Sequence, residues 1–113
     1  MPKQDYYSQG QLTDVAYLIL VALAKPLHGY AIMAQIEDIT SGEVNMGPAT
    51  LYTTLRKLTQ AGFIELLADS DKRKIYQITT LGKQALELEI EKRERYATYG
   101  KQALQNLRGD STC

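Results

Sequence analysis

Between Pro48 and Gln60 the sequence sets two kinds of residue on opposite sides of one helical wheel. Leu51, Leu55 and Leu58 recur at helical spacing as a narrow apolar stripe, while Ala49, Thr50, Thr53, Arg56, Lys57 and Gln60 lie on the other side. Small residues let a helix approach another surface closely. A threonine can meet a phosphate oxygen or a thymine methyl, and an arginine fork matches the two acceptors of guanine. This mixture suits a helix lying in a major groove, although many solvated helix faces carry similar residues. Lys72, Arg73 and Lys74 form the only run of three basic residues. Such a run is either a solvated turn or a group of cations that holds a protein on phosphates without reading sequence. In residues 1–80, seven basic groups face eight acidic ones, and five of the seven fall in these two segments. The charge is therefore placed rather than in excess.

The surrounding pattern supplies the elements that would position these groups. Thr13 and Asp14 offer an N-cap for a helix over residues 15–24, with Val15, Leu18, Ile19, Ala22 and Leu23 on one face. Lys25-Pro26-Leu27 ends it. His28-Gly29 leads into a second helix running to about Thr40, with Ile32, Ile36 and Ile39 in register and Ser41-Gly42 as its stop. Pro48 suits the first position of the third helix, and Gly62 its end. The period then changes. Residues 63–67 and 74–78 read as two strands of a hairpin, with the basic run at its far end. Thr79 or Thr80 caps a last helix over residues 81–106, about 40 Å long, and residues 108–113 are expected to fray.

Composition removes several classes of function. A chain of 113 residues with 44% hydrophobic content fits one domain, and 13 basic residues balance 13 acidic ones. One cysteine, Cys113, and one histidine, His28, supply neither a disulfide framework nor a metal set, so no metal and no cofactor is expected. No segment resembles a signal sequence or a membrane span, and a cytoplasmic location is the expectation. There is no nucleophile with an adjacent base and no phosphate-cradling glycine loop, which argues against an enzyme. A winged-helix module that binds protein instead of DNA is the stronger rival, but it would more naturally expose aromatic or aliphatic anchors on its third helix.

In the last helix Leu86, Ile90, Arg93, Ala97, Gly100, Leu104 and Leu107 recur at alternating steps of four and three, the spacing of paired helices. A buried face within one chain would read the same way, yet the preceding domain is too small to cover the whole length. Dimerisation with a second copy is the expectation. Arg93 must then reach water or meet an acid such as Glu89, Glu94 or a partner carboxylate, because an unpaired buried charge is costly. A hollow interface would instead leave Arg93 to hold an anionic ligand.

Four segments together resemble the PadR family of transcriptional regulators. They are Leu27-His28-Gly29-Tyr30, the run 47–58 (GPATLYTTLRKL), Ala61-Gly62-Phe63-Ile64-Glu65, and the run 73–82 (RKIYQITTLG). The resemblance extends from about Thr13 to Leu107 and points to the compact branch, in which one long helix makes the dimer. It implies a fold that is mainly α with a small β-hairpin: a winged helix-turn-helix plus a long C-terminal dimerisation helix. The expected divisions are a flexible leader over 1–12, a DNA-binding domain over 13–80, a dimerisation helix over 81–107 and a disordered tail over 108–113.

The function implied is a sequence-specific, ligand-responsive repressor that binds double-stranded DNA as a homodimer on an inverted repeat. Its DNA-binding set would be Ala49, Thr50, Tyr52, Thr53, Arg56, Lys57, Lys72, Arg73 and Lys74. Tyr52 would bond a phosphate or pack under the wing; Tyr30 and Tyr76 would be packed, His28 structural, and Cys113 a tail thiol. Some compact relatives stack flat aromatic drugs between the two subunits on a tryptophan of the last helix. That position corresponds to Arg93 here, and the chain has no tryptophan. The departure puts multidrug binding in doubt, and leaves Arg93, Tyr96, Ala97, Tyr99 and Gly100 as the candidate effector pocket.

Overall fold

The structure, a computed structural model, describes residues 12–69 and 74–109. Its elements in chain order are α1 (Asp14–Ala22), β1 (Leu27–His28), α2 (Gly29–Ile39), α3 (Pro48–Gln60), β2 (Ile64–Asp69), β3 (Lys74–Ile78) and α4 (Thr80–Arg108). The fold is mainly helical, with a small antiparallel sheet beside the helices. The Thr13 hydroxyl accepts the Ala16 N–H at 3.1 Å and caps α1. The helix stops two residues short of the predicted end. Leu23 and Ala24 donate to Leu20 and Val21, tightening the chain ahead of Pro26, which disfavours helical backbone at Lys25.

A third strand, β1, escapes the sequence pattern because two residues carry no alternation. It lies on β3, with Leu27 opposite Tyr76 and His28 opposite Ile75, so the sheet order is β1-β3-β2. Strands β2 and β3 pair Ile64 with Ile78 and Glu65 with Gln77. The register shifts between Leu66 and Ala68, where Leu67 is the extra residue of a bulge.

The core gathers one stripe from each helix. Ala16, Ile19, Leu20 and Leu23 meet Ile32 and Ile36 of α2, Leu51, Leu55 and Leu58 of α3, and Phe63, Ile64 and Ala85. Leu12 is also buried, although it falls in the segment predicted to be a flexible leader. Tyr76 is half-buried against this core.

The end of α3 is tied to the start of α4. Gly62 takes a positive φ of 82°, its N–H donates to Thr59, and the Phe63 N–H donates to Leu58, a closure that places buried Phe63 under the helix end. Thr79 then bridges the two helices. Its hydroxyl donates to the Gly62 carbonyl at 2.6 Å and accepts the Gly82 N–H at 3.0 Å, and its own N–H donates to Phe63 at 3.0 Å. Gly82 packs so closely on the Phe63 carbonyl that a Cβ would overlap it. Helix α4 continues to Arg108, which the sequence assigns to a frayed tail; Gly109 closes it in the left-handed conformation. No described helix is long and apolar enough to cross a membrane.

Candidate nucleic-acid interface

Pro48 starts α3 behind an extended Gly47, and the burial of Leu51, Leu55 and Leu58 turns the opposite face outward. Ala49, Thr50, Tyr52, Thr53, Arg56 and Gln60 are all exposed, and Lys57 is half-buried. Thr54, on the inner side, is buried and donates its hydroxyl to the Thr50 carbonyl at 2.8 Å.

The wing comes back over the second half of this helix. Tyr52, Leu55, Arg56, Thr59 and Gln60 of α3 face Leu66, Lys74 and Tyr76 of the hairpin across a shallow hollow of about 280 Å³. Arg56 and Lys74, 18 positions apart in sequence, thus share one rim. Thr59, which the wheel reading omits, belongs to that rim because the wing leans toward the end of α3. Lys72 and Arg73 lie outside the described residues. Neither His28 nor Gly47 makes a side-chain cap bond at the start of α2 or α3, so N–H groups at both helix starts remain without a side-chain cap.

Two tyrosines separate at this surface. The sequence reading packs Tyr30, but it is 71% exposed; the buried face of α2 is filled by Ile32 and Ile36, and Tyr30 falls outside it. Tyr52 is half exposed and lays its hydroxyl against Gly29, where any Cβ would collide with it. Gly29 is thus the seat on which α3 meets the start of α2.

Where α4 leaves the domain, charge is concentrated. The Glu89 side chain is 1% exposed; it accepts the Leu12 N–H at 3.2 Å and the Arg93 Nε–H at 2.7 Å, with Lys92 Nζ at 3.3 Å. Arg93 also donates to Asp14 at 2.9 Å and lies 4.3 Å above the Tyr17 ring. Partial burial pulls the Arg93 pKa down, but hydrogen bonds and charge from Asp14 and Glu89 outweigh it and hold the guanidinium above its ordinary value. Glu89 is among the acids the sequence offers for Arg93. Asp14, 79 positions away, is not legible beforehand.

The remaining candidates on α4 divide at this point. Leu86 packs on the core, Ile90 is partly exposed, and every described residue from Glu94 to Gly109 is exposed, including Tyr96, Ala97, Tyr99, Gly100, Leu104 and Leu107. The Tyr96 and Tyr99 rings stand 5.9 Å apart, with Lys92 over Tyr96. Among the described residues no group of three or more His, Cys, Asp or Glu side chains could hold a metal.

Residues 18–88, well over half of the chain, match the transcriptional regulator PadR-like family. The chain belongs to that family. A PadR-like regulator acts in DNA-binding control of transcription and is not an enzyme. It is 34% identical over 82 residues to an uncharacterised protein X of Lysinibacillus sphaericus, covering 69% of this chain and 73% of that one. It is 36% identical over 77 residues to an uncharacterised 37.1 kDa protein in a transposon of Streptomyces fradiae, covering 67% of this chain but only 22% of that protein's length. The fold is similar to that of a PadR family transcription regulator from hypervirulent Clostridium difficile, with 23% identity, 81% of this chain and 99% of that chain covered, and a TM-score of 0.71. In this PadR-like chain, the four motif segments serve structural ends as well. Gly29 seats Tyr52, Gly62 turns the chain after α3, and Gly82 clears the Phe63 carbonyl.

Proposed function

We propose that this PadR-like regulator is a cytoplasmic repressor that reads an inverted-repeat operator as a homodimer and is released by a small-molecule effector. The observation that carries the DNA side is the shared rim of Arg56 and Lys74 beside the exposed, hydroxyl-rich start of α3. Thr50 and Thr53 are suited to base edges, Arg56 and Lys57 to guanine or phosphate, and the wing cations to the backbone. A single module supplies mostly nonspecific affinity, so discrimination calls for two half-sites about one helical turn apart. The projecting half of α4 supports this reading, with Ala97, Gly100, Leu104 and Leu107 continuing the face that Leu86 and Glu89 turn toward the domain.

Tyr96 and Tyr99, exposed and with their rings tilted by 32°, offer aromatic faces for an effector, with Gly100 next in sequence. Arg93 is already engaged by Glu89 and Asp14, so an anionic effector would have to displace Asp14, the exposed partner. Selection from a randomised duplex library, followed by footprinting and a reporter gene under the selected site, tests the proposal. Recovery of an inverted repeat that silences the reporter is the expected result. Selected sites without two-fold symmetry would refute the dimer reading, and a reporter that is activated would refute repression.

A further inference from the structure

Helix α4 is fastened to the reading head at two places. One is the Thr79 junction at its start, backed by Gly82 and Ala85; the other is the cluster of Glu89, Arg93, Asp14 and Leu12. Beyond Arg93 every described residue is exposed, so this cluster is the outermost hold on a helix that runs about 22 Å further. One fastening leaves a pivot, whereas two fix a direction. The guanidinium is well suited to the second because its plane is constrained three ways: Nε bonds Glu89, Nη2 bonds Asp14, and its face rests on the Tyr17 ring.

We propose that the Asp14–Arg93–Glu89 clamp sets the tilt of α4 on the head, and through it the half-site spacing that the dimer accepts. The proposal rests on the dimer reading above. A swing of about 5° around the Thr79 junction would move the far end of α4, about 43 Å away, by about 4 Å. That is about one base-pair step of 3.4 Å. Arg93 is accordingly a positioning residue for operator recognition, without touching DNA. Asp14 gives the cleanest test, since its side chain is 85% exposed and Arg93 is its only charged contact among the described residues.

The experiment compares the full-length chain with Asp14→Asn and Arg93→Lys by gel shift. The probes are the selected operator, versions with the spacer one base pair longer or shorter, and a duplex holding a single half-site. For the native chain a changed spacer is expected to weaken binding about tenfold, equivalent to about 1.4 kcal/mol. For both variants the loss should shrink to about threefold or less; for Asp14→Asn the single-half-site affinity and the dimer seen in sedimentation should stay unchanged. Lysine keeps the charge but not the planar fork, so native behaviour in Arg93→Lys would overturn the clamp, as would a native spacing penalty in Asp14→Asn. An equal loss on the single half-site in Asp14→Asn would also overturn it, because the cluster would then belong to the folding of the head. A native chain that is monomeric, or indifferent to spacing, would refute the dimer reading itself and the proposal with it.

Discussion

Replacing Glu89 by alanine should cost this protein about 3 kcal/mol of stability. The carboxylate is 1% exposed and holds three donors: the Leu12 N–H, the Arg93 Nε–H and the Lys92 ammonium. Removing one partner of a buried ion pair typically costs about 3–5 kcal/mol because the other charge is left without compensation. Here the other charges are not fully stranded. Arg93 is 35% exposed and keeps Asp14, and Lys92 is 25% exposed, so both regain water, which puts the expectation at the lower end. Most of the loss then comes from the unsatisfied Leu12 amide, the vanished Arg93 bond and the space left behind. Urea unfolding followed by circular dichroism, at one fixed protein concentration because association adds to apparent stability, measures the change. Glu89→Gln, which keeps the shape and one acceptor, should lose about half as much. A loss below about 1 kcal/mol for Glu89→Ala would mean that burial of the carboxylate already cancels what its partners return.

Four further outcomes are expected. Arg56→Ala and Lys74→Ala should each weaken binding to random duplex DNA and flatten the salt dependence by about one unit of slope, checked by titration at several salt concentrations. Thr53→Ala should change preference among operator variants more than affinity for random DNA, as competition gel shifts would reveal. Gly82→Ala should destabilise by about 1–3 kcal/mol in thermal melts, since overlap with the Phe63 carbonyl outweighs the gain of about 1 kcal/mol in helix propensity. Charged residues at Ile90 and Leu104 together should yield a folded monomer in sedimentation that loses operator affinity far more than random-DNA affinity.

Much of the fold was legible because each helix carries its own stripe and its own stop. Leu51, Leu55 and Leu58 announce the buried side of α3 without reference to any other element, and the Thr79 cap announces α4. What stayed hidden depends on partners far away in sequence. Strand β1 exists only because β3 lies alongside it, and Tyr30 is exposed because Ile32 and Ile36 already fill the inner face of α2. At the candidate interface the residue types were readable, but their grouping was not. That Arg56 and Lys74 share a rim follows from the lean of the wing, which no local pattern encodes. For Arg93 the need for an acid could be argued from cost alone, whereas Asp14 became a partner only through the packing of α1 on α4.

The bond from the Leu12 amide to Glu89 spans 77 positions, and this bears on how the chain is made. Leu12 is fastened by an element made 77 positions after it, and β1 likewise waits for β3. Closing such long loops comes late and slows folding. Helices α1 to α3 cover most of one another's apolar stripes, but Ala85 joins that core, and Glu89 closes on Leu12, only once α4 has been made. A nascent chain cut short before Glu89 should accordingly be a substrate for proteases, not a weak DNA binder competing with the finished regulator.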